Sequence, residues 1–299
     1  MSDLETEPEE IEEPLPDGRK RRSFSQLSSY INCSEAYRLE RIVRPHPPKR
    51  PAAWFTLGLA IHKALENWEL SHRTSDMEAD FIEEYNRVKA EQLEEQPDLG
   101  MWLNPWRGKT VHESLDLNFE KGLEQIRAYQ AWHADSNNFL RPMIDPDDGT
   151  VWVEVPFEIE LGGIPVIGFI DYVDENGLPL DLKSGATKNS KPLQLGLYSV
   201  ALKKQYGISG TTAQFFHTKV DGRSRYGLSE QYDTTRYTEE YLTDLFVAME
   251  KGIENNIYFP SPSDSCGICP VERWCREKGS QPIPLNWEAV NEPWWSGDM

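Results

Sequence analysis

Two aspartates and a lysine in this chain stand at spacings suited to phosphate chemistry: Asp171, and then Asp181-Leu182-Lys183. Two runs rich in β-branched and apolar residues, 164–173 and 178–183, flank the turn signal Glu175-Asn176-Gly177. Such a pattern is how a β-hairpin reads in sequence. With those three residues as the loop and Gly177 left-handed, Asp174 pairs with Leu178, and counting back sets Asp171 opposite Asp181. Side chains alternate along a strand, so Lys183 lies on the face that carries Asp181. An Asp, an Asp and a Lys are therefore expected at one spot, and hard carboxylate oxygens so arranged suit Mg²⁺ or Mn²⁺.

Elements on either side must hold that hairpin. Downstream, Ser190-Lys191-Pro192 supplies an N-cap and an early-turn proline for a helix running to about Lys204. Gln194 and Tyr198 sit four apart on it, on one face, from which both could reach the hairpin or a bound phosphate. Upstream, a helix from about Phe55 carries the stripe Leu57, Ile61, Leu65 and Trp68, with His62 beside it and Glu66 one turn later. Taken alone, His62 reads as a half-buried histidine satisfied by its surroundings.

The four cysteines form a second constellation. Cys33 stands alone, and the others follow as Cys266-x-x-Cys269-Pro270-x-x-x-x-Cys275. Four thiols in a chain without a secretory signal suit metal ligation better than disulfides. Structural zinc and an iron–sulfur cluster both use such ligands. Zinc ribbons generally offer two close pairs, a spacing from which this split set departs. Either centre would staple the chain across a long loop.

The ordered set resembles the RecB-type branch of the PD-(D/E)xK nuclease superfamily. The resemblance is carried by Asp171, Asp181-Leu182-Lys183 and Gln194-x-x-x-Tyr198, by Gly58-x-x-x-His62-x-x-Leu65-Glu66, and by the opening Ser25-x-Leu27-x-x-Tyr30-x-x-Cys33. Family members often have Pro after that cysteine, where this chain has Ser34. The resemblance covers about residues 23–276 and is least specified over 76–135. It implies that His62, Asp171, Asp181 and the Leu182 carbonyl bind one or two Mg²⁺ or Mn²⁺ ions. Lys183 would then stabilise charge and orient water, and Gln194 and Tyr198 would contact DNA or support the site. AddB, the CRISPR-associated RecB-like exonucleases and related phage proteins share the split cysteine pattern, which there holds a 4Fe-4S cluster; this implies such a cluster on Cys33, Cys266, Cys269 and Cys275.

The fold so implied is α/β: a restriction-endonuclease-like core with a mixed central sheet flanked by helices, plus a helical insertion and a C-terminal iron–sulfur module. Residues 1–22 are expected to be a disordered acidic tail ending in a basic run, 23–75 the N-terminal helices, and 76–150 a helical insertion able to wall the site. Residues 151–260 are expected to be the nuclease core, 261–280 the cysteine module and 281–299 a flexible tail. Within the core, an alternating run at 151–159 opens the sheet, with Glu154 a candidate outer-sphere group. A further hairpin is expected over 211–234 around Asp221-Gly222, then a helix over 238–256.

Composition bounds these readings. The chain has 299 residues, 38% hydrophobic, and a net charge of −19. Eight acids and no basic residue fall in residues 1–18, leaving the remainder at −11. Phosphate binding needs a local positive groove rather than a positive average. The candidates for one are Arg19 to Arg22, Lys188, Lys191, Lys203, Lys204, Lys219, Arg223 and Arg225. No apolar run approaches bilayer length, so a cytoplasmic protein without a membrane partner is expected. Trp102 and Trp106 are candidates for base stacking or for packing, and the tail with Trp287, Trp294 and Trp295 could dock a recombination or replication protein. The expected activity is that of a metal-dependent DNA exonuclease in recombination, repair or phage DNA processing. The alternatives are a catalytically silent DNA-binding subunit and a zinc-stapled structural protein.

Overall fold

In a computed structural model, residues 15–278 are described apart from 17, 45, 105, 107, 186–190 and 220–225. The acidic segment 1–14, the tail 281–299, the Ser190 N-cap, Lys188, Arg223, Arg225 and the Asp221-Gly222 turn lie outside the described residues.

The order is α1 (Phe24–Asn32), α2 (Ser34–Tyr37, continued by a π-type turn), α3 (Phe55–Leu70), α4 (Met77–Glu95), α5 (Val111–Ala134), β1 (Val153–Leu161), β2 (Ile164–Val173), β3 (Pro179–Lys183), α6 (Pro192–Ala201), β4 (Thr212–His217), β5 (Gly227–Leu228), β6 (Tyr232–Asp233) and α7 (Glu239–Glu254). The helix starts follow their caps: Ser23, Asp76, Thr110 and Thr238 each accept an N–H from the first turn. Helix α4 ends at Glu95, because Pro97 disfavours helical backbone at the residue before it.

One mixed sheet runs β1-β2-β3-β4-β5, with β6 also on β4. Gly162 and Gly163, both with positive φ, make the two-residue turn between β1 and β2. The β2–β3 pair has the register counted from its turn: Val173 faces Pro179 and Tyr172 faces Leu180, which continues to Asp171 opposite Asp181. Gly177 is left-handed (φ +80), and the Asp174 carboxylate accepts the Asn176 and Leu178 N–H groups. Strands β3 and β4 are parallel, so a crossover must join them, and α6 lies in it. The expected partner of β4 is two short pieces rather than one strand. Leu228 faces Phe216 while Asp233 faces Thr212, a slip of one residue that marks a bulge between β5 and β6.

Strand alternation gives the sheet two apolar faces. On one, α1, α6 and α7 bring Leu27, Leu195, Leu197 and Phe246 against Phe157, Ile170 and Phe215. On the other, α3, α4 and α5 bring Ile61, Phe81 and Ile126 against Tyr172, Leu180, Leu182 and Phe216. The expected insertion is thus the second helical layer and shares its core with the sheet. Trp102 is buried in a satellite cluster with Ala53, Val111 and Leu115, which makes it a packing residue.

Part of the basic run has structural partners. Arg22 pairs in parallel beside Val166 on β2, and its guanidinium lies 2.9 Å from Glu250 of α7. Arg19 pairs with Glu160 at 2.8 Å and Arg21 with Glu158 at 3.6 Å. These arginines tie the start of the chain to β1, β2 and α7 instead of forming a phosphate groove. Among the described residues no helix is long and apolar enough to cross a membrane.

The second core holds a polar island. Arg73 forks onto Glu69 at 3.0 and 3.2 Å, and Tyr129 donates to the same carboxylate at 3.0 Å. His133 is boxed by Trp68, Tyr129, Trp132 and Phe216. Burial, and after it the Arg73 charge, pull the His133 pKa down to about 3. The unfolded chain takes up this proton near pH 6.5 while the folded one does not, so stability falls as pH drops below that value. Burial raises the Glu69 pKa, an effect of opposite sign that the wild type and a His133 variant share. Thermal melts should therefore show the wild type losing about 1 kcal/mol between pH 7 and 5.5 that a His133→Phe variant keeps; equal pH slopes would contradict this.

Candidate active site

Asp171 and Asp181 are buried on the α6 face of the sheet, at 3% and 1% exposure. Tyr172, Leu180 and Leu182, their chain neighbours, fill the opposite core. The Lys183 ammonium lies 2.9 Å from Asp181 Oδ2. Carboxylates this deep are costly unless they are hydrogen-bonded or matched by positive charge.

Helix α6 supplies much of that support through a relay. Lys183 Nζ donates to Gln194 Oε1 at 3.2 Å, and Gln194 Nε2 donates to the Tyr198 hydroxyl at 3.0 Å. Tyr198 donates in turn to Asp171 Oδ1 at 2.9 Å. An ammonium has only donors, so the amide oxygen of Gln194 must face Lys183 and its NH₂ must face Tyr198. The spacing of one helical turn between Gln194 and Tyr198 is what lets one helix face span the lysine and the aspartate. Gly196 sits between them where a Cβ would stand 2.4 Å from Tyr237, so close packing requires a glycine. Both side chains point to the hairpin, which makes them site supports in this arrangement.

The other Asp171 oxygen accepts the Leu182 N–H at 2.7 Å. His62 reaches over from α3, its Nδ1 4.0 Å from that same Oδ2 and its ring partly exposed. Two carboxylates and one ammonium give the buried cluster a formal charge of −1. Each Asp171 oxygen keeps a lone pair beyond the hydrogen bond it accepts, and Asp181 Oδ2 meets the Lys183 ammonium. The hard donors of Asp171 and Asp181, with the His62 imidazole beside them, fit a divalent cation. Among the described residues, no three or more His, Cys, Asp or Glu side chains are drawn together as a finished metal cage.

The four cysteines are free thiols, brought into one neighbourhood by short turns at 264–278 packed on Leu39 and Val43. Each sulfur accepts one backbone N–H: Ser261 to Cys33 at 3.5 Å and Ser263 to Cys266 at 3.4 Å, with Val271 and Glu277 doing the same for Cys269 and Cys275. Burial, offset in part by the Val271 N–H, together with Glu40, Cys33 and Cys275 nearby, pushes the Cys269 thiol up to about 12. Burial likewise raises Cys275, with Cys33 and Cys266 among the contributing neighbours. The donor chemistry of this set, four thiols each receiving an N–H, fits a thiophilic metal or cluster.

A description of the PD-(D/E)XK nuclease superfamily matches residues 21–276. The chain belongs to that superfamily. Two proteins called Gene 69 protein are similar to it. That of Mycobacterium phage D29 is 33% identical over 267 residues, covering 85% of this chain and 96% of the phage protein. That of Mycobacterium phage L5 is 31% identical over 283 residues, covering 85% and 95%. Superfamily membership makes the chain a nuclease, with DNA as the implied substrate, and such nucleases normally use Mg²⁺ or Mn²⁺. The mixed sheet with helices on both faces fits the PD-(D/E)XK fold.

Two features of this nuclease site have little signal in sequence. Glu154 stands at the position opposite Asp171 on β1 with φ +50, a left-handed backbone uncommon for a non-glycine residue. An alternating strand pattern conceals such a backbone conformation. His217, buried at 4% exposure, is the parallel partner of Lys183, and nothing in its local sequence marks it.

Tyr198→Phe removes the hydroxyl that joins Gln194 to Asp171 and leaves a buried amide donor unsatisfied. Denaturant unfolding should show a loss of about 1–3 kcal/mol. A Gln194→Leu/Tyr198→Phe pair should cost less than the two single changes added together; strict additivity would mean that the relay is not coupled.

Proposed function

We propose that the chain is a metal-dependent DNA exonuclease of the RecB-like type. The observation that carries this reading is the buried Asp171–Asp181–Lys183 cluster, its net negative charge and the relay that fixes it. Asp171, Asp181, His62 and the Leu182 carbonyl would hold one or two Mg²⁺ or Mn²⁺ ions. When bound, such an ion supplies a Lewis acid for the phosphoryl oxygens and eases deprotonation of the attacking water. Asp171 is oriented by the Tyr198 hydroxyl and the Leu182 N–H. Lys183, steadied by Asp181 and Gln194, places a positive charge where the phosphodiester gains negative charge on attack. The leaving oxygen departs with its proton taken from solvent.

The split cysteine set supports a further reading, that Cys33, Cys266, Cys269 and Cys275 bind a 4Fe-4S cluster. Its role is structural, since Cys33 comes from the start of the chain and the others from the end of the described core. The spacing resembles that of the iron–sulfur nucleases related to AddB and the CRISPR-associated exonucleases. Phage proteins as relatives support a role in phage DNA processing or recombination.

Anaerobic purification followed by assays on end-labelled single- and double-stranded DNA tests the enzyme. Mg²⁺ or Mn²⁺ should support cutting, EDTA should abolish it, and Lys183→Ala should slow it by at least about 10²-fold. Loss of label from one end first gives the polarity. A brown, folded protein that cuts with neither metal would leave the silent DNA-binding subunit in its place. The same preparation should absorb near 410 nm and contain iron; a colourless protein carrying zinc would overturn the cluster.

A further inference from the structure

Many of the described cations of this acidic protein sit beside acids, as Arg19, Arg21, Arg22, Arg73, Arg87, Arg127 and Lys204 do. Lys121 and Lys219 depart from that pattern. They lie 98 positions apart in sequence, on α5 and just past the end of β4, yet they are close in space. Burial first, and then the Lys219 charge, lower the Lys121 pKa, with Glu124 acting in the opposite sense. Among the described residues neither lysine forms an ion pair.

The construction around them is specific. Lys121 and Gln125 are one turn apart on the same face of α5. Gln125 accepts the Thr218 hydroxyl at 2.7 Å, which docks that face on the end of β4. The Thr218 N–H donates to the Lys183 carbonyl at 3.0 Å, and Lys183 pairs with His217. Lys219 thus begins about 7 Å along the strand from the level of Lys183. On the other side, Lys121 Nζ rests 4.0 Å over the Trp106 ring, and Trp106 Nε1 points to Asn118 Oδ1 at 3.4 Å. Asn118 is itself fixed to the Ala53 carbonyl at 2.7 Å. Trp106 is half-buried, and it holds the lysine by a cation–π contact instead of an acid. An acid there would cancel the charge, whereas an indole face positions it and leaves it available to an anion.

We infer that Lys121 and Lys219 together bind a backbone phosphate of the DNA substrate next to the one being cleaved, with Trp106 as the positioning residue that holds Lys121. The inference rests on the nuclease reading of the adjacent site. It places the substrate strand along the junction of α5 and β4, at the Lys183 end of β3. It also accounts for how a chain of net charge −19 can hold a polyanion: two cations are brought to one junction of the fold without an ion pair to either among the described residues.

The test is the salt dependence of binding to a fluorescein-labelled oligonucleotide, measured by anisotropy in EDTA so that nothing is cut. Wild type, Lys121→Gln/Lys219→Gln, Trp106→Leu and, as a control, Lys204→Gln are compared after melts confirm that each is folded. The double variant should flatten the slope of log K against log salt by about 0.7–0.9, as expected for the loss of one neutralised phosphate. In Mg²⁺ it should raise KM more than it lowers kcat. Trp106→Leu should weaken binding with less change in slope, because the charges remain, and Lys204→Gln should do neither. Inorganic phosphate at matched ionic strength should compete no better than chloride, since one isolated anion lacks the rest of the strand. A folded double variant with an unchanged slope overturns the inference, as does an equal effect from Lys204→Gln. Those results in a preparation that cuts DNA leave the nuclease reading standing; a wild type that neither binds nor cuts DNA removes both.

Discussion

The structure depends on the cost of burying charge. Asp171 and Asp181 are almost wholly removed from water, and ions so placed are tolerated only when hydrogen bonds and opposite charge replace their hydration. Much of the central architecture serves that need. The hairpin register sets the two carboxylates side by side, α6 provides the Lys183–Gln194–Tyr198–Asp171 relay, and the Leu182 N–H completes the shell of Asp171. The excess negative charge is then a feature of the site, because it favours a cation that neutral side chains would not attract.

Stiffness follows from the same arrangement. The relay ties β2, β3 and α6 into one unit, and Gly196 lets α6 approach Tyr237 more closely than any residue with a Cβ would allow. At the periphery, Arg22 fastens the entry of the chain to β2 and to Glu250. The turns that carry Cys266, Cys269 and Cys275 pack against the segment after Cys33, which joins the first helices to the end of the described core. Side chains at the cluster are therefore held from three sides, as preorganised chemistry requires.

Much of this was legible in the sequence, and the reasons are physical. The hairpin register followed from one left-handed glycine, Gly177, and from the period of two along a strand; the start of α6 followed from Pro192, and α7 stands where a helix over 238–256 was expected. Other features depend on tertiary partners. The basic run looked like a phosphate groove because Glu158, Glu160 and Glu250 are remote in sequence from the arginines they meet. The slip between β5 and β6, the left-handed Glu154 and the burial of His217 are invisible to a pattern of residue types, since bulges and burial are decided by the neighbouring strand. The helices at 77–95 and 111–134 were readable as helices but not as one layer of the sandwich, because amphipathic periodicity shows that a face is buried without showing against what.

The central claim is that the buried carboxylate cluster is built for a divalent cation. Its most direct test is the melting temperature of the whole protein across a Mn²⁺ titration, for wild type and for Asp171→Asn, which keeps the size of the side chain and removes its charge. A ligand that binds only the folded state raises stability by RT ln(1 + [L]/Kd), and Mn²⁺ prefers oxygen ligands to the cysteine thiols. The account predicts a concentration-dependent rise in the wild type that is largely lost in the variant. An equal rise in both proteins, or none in either, would contradict it.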